Sequence, residues 1–393
     1  MKIVQYCQHV LGMGHLFRTV ELTRAFRRHQ VVLVTGGPVV EIELPEQVRT
    51  CQLPELRMDP EFTRVYPGEA GRSLKEVKKE RQRILMALMR SFNPDLFLVE
   101  LYPFGRNSFK FELLPILEGI RSGELGPTRV VCSLRDILVE KQDQRAYEQR
   151  VLAVLNTYFD ALLVHADPAV VTLAESFRST EHIQIPVVYT GFVTARPEEH
   201  AGAKLRERLG IGAAETVLVA SIGGGRVGAP LLHAVLDVYR ELTGKKRMWL
   251  FMFTGPYMSE LEFEQLQARA RQYTNVTVRR FTRLFLSYLD AADLSISMAG
   301  YNTCMNVVAC KVPALLWPFE QNREQRFRVD KLSRLVDVEA VETLDVDWLA
   351  AAVARKLARG RPTRSGEIRI DGAVETALWL ESRYDRVAGK DRE

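Results

Sequence analysis

The chain has 393 residues, too many for one hydrophobic core, so two domains of ordinary size are expected. A hydrophobic fraction of 47% beside 26% charged residues excludes an extended disordered majority, and no apolar run reaches the length of a membrane span. The formal charge of +5 is modest, which gives no case for a nucleic-acid partner.

The first segment, "MKIVQYCQHV", is too short and too mixed for a signal peptide, so a cytoplasmic protein is expected, with peripheral contact at the inner face of a membrane left open. The cysteines Cys7, Cys51, Cys132, Cys304 and Cys310 are odd in number and lack CxxC spacing, so they read as reduced core thiols. Strand-like runs follow in order, "KIVQYC", "VVLVTG", "DLFLVE", "RVVCSL" and "ALLVHA", separated by segments with helical apolar spacing. That alternation predicts parallel βαβ units. Between the second and third runs, Arg72 to Arg90 carries seven basic residues against Glu76 and Glu80. The spacing of Ile84, Leu85, Leu88 and Met89 predicts a helix with these inward and its charges in solvent. The alternative is a surface that meets an anionic membrane or a phosphorylated acceptor.

The alternation pauses at "PVVYTGFVTARPEEHAGAK", which places an interdomain connection near Thr190 to Ala203. A second series then runs "TVLVASI", "RMWLFMF", "VTVRRF", "LSISMA" and "PALLWPF", with helices expected at Pro230 to Leu242 and Glu324 to Leu335. The expected architecture is α/β, two Rossmann-like doubly wound parallel sheets in tandem with a cleft between them. The domains would be 1–195 and 196–365, followed by 366–393 with a last helix at Gly366 to Tyr384, free to pack on either domain or to cross back to the first. The one DxD, Asp345 to Asp347, reads as a helix N-cap with a first-turn acid, and neither a metal nor a cofactor is expected.

Three turns carry the chemistry. After the first strand, "HVLGMGHLFR" offers Gly12 and Gly14, where backbone can approach a ligand, and His15 at a helix start. The third glycine of a dinucleotide fingerprint is replaced by Phe17, and the second strand lacks the ribose-binding acid. After the first strand of the second series, "SIGGGRVG" sets amides of Gly223, Gly224 and Gly225 before a helix, with Arg226 as a fork for phosphate oxygens. No Gly-Lys-Ser/Thr follows, so it is not a P-loop. The third turn, "SMAGYNT", ends a strand at Gly300 and starts a helix at Tyr301, Asn302 and Thr303. Two helix starts from one domain suit an anion with two neighbouring phosphates. Beyond the next strand, Glu320, Gln321, Glu324 and Gln325 beside Trp317 and Phe319 suit a sugar ring.

"GMGHLFR", "GGGRVG" and "SMAGYNTCMNVVACKVPALLWPFEQNREQ", in this order, resemble the inverting nucleotide-sugar glycosyltransferases of the GT-B fold, above all the MurG-like enzymes with a family 28 C-terminal domain. The resemblance implies an active-site edge at Gly12, Gly14 and His15, and a donor site at Gly224, Gly225, Gly228, Phe281, Gly300, Thr303 and Gln325. Arg226 stands where the MurG pattern has serine, and Asn306 where it has a ribose-binding glutamate. Loss of such a charge-assisted pair costs about 1.5–3 kcal/mol. The function implied is inverting transfer of a sugar, such as a UDP-linked N-acetylhexosamine, from a nucleotide-diphosphate donor to a lipid-linked or soluble acceptor hydroxyl. His15 leads as the base, with Glu100 and Asp136 as the other candidates at strand ends. Two other classes compete: a nucleotide-sugar epimerase, which needs more carboxylates than these turns supply, and a non-catalytic binder of a nucleotide or partner protein, which Asn306 keeps open.

Overall fold

The computed structural model of the protein describes residues 1–9, 14–40, 43–59, 64–243, 247–319, 323–361 and 367–385. The chain forms two compact units, Met1–Val193 with Arg369–Glu393, and Thr194–Ile368. It leaves the first unit after Val193 and returns to it at Arg369.

The first unit is built on a parallel seven-stranded sheet of β1 (Lys2–Tyr6), β2 (Gln30–Thr35), β3 (Val48–Gln52), β6 (Leu96–Glu100), β7 (Arg129–Arg135), β8 (Ala161–His165) and β9 (Val187–Tyr189). Their order is β3-β2-β1-β6-β7-β8-β9. A separate antiparallel hairpin joins β4 (Leu56–Met58) to β5 (Val65–Pro67). Strands β6 and β8 are buried along their whole length, as expected of a parallel sheet covered on both faces. The helices of this unit are α1 (Gly14–Ala25), α2 (Leu74–Phe92), α3 (Lys110–Arg121) and α4 (Gln144–Tyr158).

The second unit carries α5 (Ala201–Leu209), β10 (Thr216–Ser221), α6 (Ala229–Leu242), β11 (Met248–Phe253), α7 (Glu260–Ala270), β12 (Val276–Arg279), α8 (Phe285–Ala291), β13 (Leu294–Met298), α9 (Tyr301–Cys310), β14 (Ala314–Trp317), α10 (Arg323–Leu332), β15 (Val338–Ala340) and α11 (Val346–Arg359). Its six strands are parallel in the order β12-β11-β10-β13-β14-β15. Two doubly wound parallel sheets are thus present, as the alternation of strand and helix predicts. The final helix, α12 (Gly372–Leu380), is shorter than the expected Gly366–Tyr384 and continues as a π-helical turn, Glu381–Asp385. It packs in the first unit, where Ala377 and Leu380 join a core with Ile3, Leu22 and Phe26.

Local chemistry sets the helix ends. Ser73 and Glu76 form a reciprocal capping box at the start of α2, and Asn93 in left-handed conformation closes it on Met89. Asp345 caps α11 by accepting from the Trp348 amide, with Asp347 in the first turn, as expected of this DxD. The five cysteines are free thiols, all buried except the half-buried Cys51.

One expectation for α2 fails. Its charges are not all in solvent, because the buried stripe is Val77, Arg81, Leu85 and Met89. Arg81 donates to Glu112 from Nε at 2.7 Å and from Nη2 at 2.6 Å, and also to Gln8 and to the Gly36 and Pro54 carbonyls. Tyr6 donates to the same Glu112. A buried arginine is tolerated only with its charge paired and its donors used, and here both conditions hold. Ile84 and Leu88 are half-buried, and Lys75, Lys79 and Arg83 remain exposed.

Candidate active site

All strands of the first sheet are parallel, so their C-terminal ends share one edge, and β1 and β6 are the neighbours where strand order reverses. Such a switch point is where open α/β sheets bind ligands. His15 lies in the first turn of α1, the helix after β1, and Glu100 ends β6. The fold brings these two together across 85 residues of sequence: His15 Nδ1 is 2.6 Å from Glu100 Oε1. Arg18, one turn further along α1, donates to the same oxygen from Nη2 at 2.5 Å. Arg106 Nε stands 3.8 Å from Glu100 Oε2.

Burial alone would raise the Glu100 carboxyl, but His15, Arg18 and Arg106 together hold it well below the carboxylate range. Burial lowers the His15 imidazole to about 4, Glu100 opposes that fall, and Arg106 and Arg18 add to it. At neutral pH the imidazole is therefore uncharged. Its hydrogen bond to an ionised carboxylate requires the proton on Nδ1, which leaves the Nε2 lone pair as an acceptor. The His15 side chain is 23% exposed, whereas Glu100 is 2% exposed and Asp136, just past β7, 1%. Two residues that the sequence offered as rival bases, His15 and Glu100, are partners, and His15 is the one of the three that is not buried. Gly14 opens α1, while Gly12 lies outside the described residues.

Further along this edge His165 Nε2 is 2.7 Å from Ser133 Oγ and its Nδ1 is 2.8 Å from Thr190 Oγ1. The ring is fully buried, and burial followed by Arg18 lowers it to about 3. This is a neutral bridge between hydroxyls that locks β7 to β8 and to the turn after β9.

In the second sheet the order reverses between β10 and β13. The loop after β10 holds Gly223 to Gly228, and Gly300 follows β13. Gly225 and Gly228 answer to packing: both have left-handed φ, and an added Cβ would lie 2.2 Å from the Thr254 carbonyl oxygen in one case and 2.4 Å from Met298 Sδ in the other. Gly224 is exposed, and its carbonyl accepts from the Tyr257 amide at 2.9 Å. Arg226 is exposed with its guanidinium 5.2 Å from the Tyr257 ring centroid. Tyr257 and Gly255 belong to a further glycine turn, after β11, that the sequence reading missed; a Cβ on Gly255 would lie 2.2 Å from the Gly223 carbonyl oxygen.

Gly300 differs from its neighbours. Its φ of −64° suits any residue, and a Cβ there would meet no described residue within 4 Å. Neither φ nor packing calls for glycine at this position, and among the described residues the space over it is open. Gly300 caps α9 and Gly228 caps α6, and neither helix start has a side-chain cap. Two uncapped helix starts at one switch point are suited to an anion.

The other expected donor residues divide. Phe281, just past β12, is 53% exposed, an open aromatic face at this edge. Tyr301 is buried with Arg328 stacked 5.5 Å from its ring centroid, and the Thr303 side chain is buried as well, so both side chains pack and only their backbone is left for a ligand. Asn302 is half-buried. Gln325 is nearly buried and its Oε1 accepts from the Phe319 amide at 3.0 Å, which fixes the chain after β14. Trp317 and Phe319 pack edge to face on the core of the unit. Asn306 has a partner within the chain, since its Oδ1 accepts from the Thr194 hydroxyl at 3.0 Å. Glu320 and Gln321 lie outside the described residues.

Residues 218–361, all in the second unit, match the glycosyltransferase family 28 C-terminal domain. A protein of Fusobacterium nucleatum subsp. nucleatum, named as the UDP-N-acetylglucosamine N-acetylmuramyl-(pentapeptide) pyrophosphoryl-undecaprenol N-acetylglucosamine transferase, is 29% identical over 142 residues, 36% of this chain and 38% of its own. The enzyme of the same name from Carboxydothermus hydrogenoformans is 32% identical over 121 residues, 30% of each chain. The chain thus spans about a third of the length of the curated relatives it matches. Among solved structures, Acinetobacter baumannii MurG gives a TM-score of 0.56 at 13% identity, covering 98% of this chain and 100% of that one. The glycotransferase of kitacinnamycin gives 0.56 at 17%, covering 98% and 99%. A glycosyltransferase from Rickettsia africae gives 0.59 at 10%, covering 98% and 93%. At these identities the likeness is one of fold, that of the GT-B glycosyltransferases, and the family 28 C-terminal resemblance read from the motifs is met in sequence along residues 218–361 of the second unit.

Proposed function

From a second unit that carries the family 28 C-terminal domain, we propose that this chain is an inverting, metal-independent glycosyltransferase. The donor is a nucleotide-diphosphate sugar held on the second unit, with its base on Phe281 and its diphosphate at the starts of α6 and α9. The acceptor hydroxyl attacks the anomeric carbon, a carbon–oxygen bond forms, and the bond to the diphosphate oxygen breaks with its electron pair leaving on the diphosphate. His15 Nε2 takes the hydroxyl proton, and Glu100 stabilises the imidazolium that results. The uncapped helix starts and Arg226 supply positive potential to the departing diphosphate.

The observation that carries catalysis is the 2.6 Å contact between His15 and Glu100, which leaves Nε2 free for a proton. A protein that only binds nucleotide has no use for an oriented neutral imidazole at a switch point. The names of the curated relatives give UDP-N-acetylglucosamine as donor and a lipid-linked acceptor, and both are proposed here. Among the described residues no helix is long and apolar enough to cross a membrane. The exposed Lys75, Lys79 and Arg83 of α2 support contact with an anionic bilayer surface at the cytoplasmic face.

A non-catalytic binder is the second reading, favoured by the Asn306 amide, whose oxygen is engaged by Thr194. Calorimetry with UDP, GDP, TDP, ADP and CMP on the natural chain and on Asn306→Glu separates the two, followed by product analysis with the sugar form of the nucleotide that binds. Micromolar UDP or TDP binding that tightens in the variant, with sugar transferred, is the expected outcome. Binding without transfer or hydrolysis favours the binder, and no binding by any nucleotide to either protein sinks the donor site.

A further inference from the structure

We propose that Arg106 is a positioning residue that holds Glu100 against His15 and keeps the imidazole unprotonated, a role that rests on reading His15 as the base. Glu100 Oε1 carries both close donors, His15 Nδ1 at 2.6 Å and Arg18 Nη2 at 2.5 Å. The other oxygen, Oε2, has Arg106 Nε before it at 3.8 Å, and both of these atoms are buried and have no hydrogen-bond partner among the described residues. That separation is too long for a hydrogen bond but well inside the range where opposite charges attract strongly away from water. The Arg106 side chain is 10% exposed.

The backbone holds this side chain at a position whose conformation ordinarily favours glycine. Arg106 has φ 59°, and Leu101 in the same short loop after β6 has φ 67°. Glycine adopts this left-handed conformation without the clash that a Cβ brings, yet the chain keeps an arginine there. The loop is tied on several sides: the Gly105 amide donates to the Leu101 carbonyl, the Phe109 amide to the Arg106 carbonyl, and the Tyr147 hydroxyl to the Phe104 carbonyl, each at 2.8 Å. A fixed backbone in an unusual conformation aims the guanidinium at Glu100.

Several groups bear on this pair. Cys7 faces it from the end of β1, Arg18 from α1, Arg106 from its loop and His165 from β8, while Asp136 follows β7 on the same edge. The Cys7 thiol, pushed up to about 12 by burial and then Glu100, stays neutral. Of the cations, Arg106 is the one that faces the carboxylate oxygen not engaged by His15 or Arg18. It does two things. By attracting Oε2 it opposes rotation of the carboxylate away from His15, and by its charge it disfavours a proton on the imidazole. Without it burial and Arg18 still oppose a proton, but the pull of Glu100 is less well countered, and His15 becomes cationic at a higher pH.

The test is histidine NMR with ¹⁵N-labelled wild type, R106Q, R106M and R106K, the His15 signal being assigned by its loss in H15Q. In wild type His15 keeps a bare Nε2 and a proton on Nδ1 between roughly pH 5 and 8. In R106Q and R106M, which keep the stem but not the charge, the signal titrates at a higher pH than in wild type, and R106K returns it towards the wild-type position. If a donor and acceptor are in hand, kcat on the acid side falls roughly tenfold in R106Q, a part of what a general base contributes, with KM for the nucleotide sugar unchanged. A His15 titration in folded R106Q and R106M that matches wild type overturns the proposal. Failure of the transferase reading looks different: wild type shows no turnover with any donor, and the spectra still report what Arg106 does to His15.

Discussion

At the switch point of its first sheet the chain sets His15, Glu100, Arg18 and Arg106, ionisable side chains within 4 Å of one carboxylate. At the switch point of its second sheet it sets glycines, uncapped helix starts and one exposed arginine. The first arrangement spends buried charge to fix the protonation of one ring, which suits the proton transfer proposed for it. The second offers backbone amides and open space, which recognise an anion without titrating. Under the proposed function chemistry is separated from binding, and substitutions at one edge should leave the other's task intact.

The largest expected effect tests that division directly. His15→Gln lowers kcat by roughly 10²–10⁴, the usual range for a general base, while calorimetric affinity for the nucleoside diphosphate stays at the wild-type value. Glu100→Gln follows with a smaller loss, since the glutamine can still accept from Nδ1 but no longer stabilises an imidazolium. Weakened nucleotide binding with turnover intact would break the comparison.

A second consequence concerns acid. His15 and His165 are lowered to about 4 and about 3, against an unfolded value near 6.5. Below about pH 6.5 the unfolded chain therefore takes up protons that the native first unit refuses. Stability falls as the pH drops from there through 4 and on to 3. Glu100, held low by its three partners, adds a loss further down. In the second unit the half-buried His233 is lowered by burial and then Arg269. Trp379 is the single tryptophan of the first unit, whereas Trp249, Trp317 and Trp348 lie in the second, so emission from single-tryptophan variants follows each unit separately. On acidification the first unit should lose its transition temperature faster, by roughly 2–4 °C for each kcal/mol. A parallel decline of both units would contradict the contrast.

Nine of the ten strands legible in the sequence lie inside their sheets and read as apolar runs because parallel strands covered on both faces do so; the tenth, β12, is an edge strand without a buried residue, read from its Val-Thr-Val alternation. The missed strands are those without such runs. β3 is half exposed along its length, β4, β5 and β15 have three residues each, and β9 lies in the Pro- and Gly-rich stretch read as a linker. Arg81 was counted with the solvated charges, although its spacing with Val77, Leu85 and Met89 marks the buried stripe; no rule of periodicity names Glu112 as its partner. The Gly255 turn carried a usable signal, "TGPY" directly after an apolar strand, at the same place in its βα unit as the other glycine turns. The pairing of His15 with Glu100 carried none, because contact between residues 85 apart comes only from strand order.

The smallest effect is also the sharpest, because it separates a ligand's demand from the fold's. At Gly225 or Gly228 any side chain strains the backbone and collides with the chain, so lost binding there would be confounded with lost structure. At Gly300 the two come apart. Its φ is ordinary and no described residue occupies its Cβ direction, so the gain from a less flexible unfolded chain, about 0.4–1 kcal/mol, offsets the poorer capping of α9 by alanine, and Gly300→Ala should leave stability close to wild type. If that space receives a diphosphate, the added methyl meets the ligand, and affinity for the nucleoside diphosphate falls by about tenfold, equivalent to about 1.4 kcal/mol, with little change for the free nucleoside. Thermal unfolding and calorimetry on the same preparation measure both quantities. A variant as stable as wild type that binds the diphosphate equally well would show that the open space at Gly300 is not where the ligand lies.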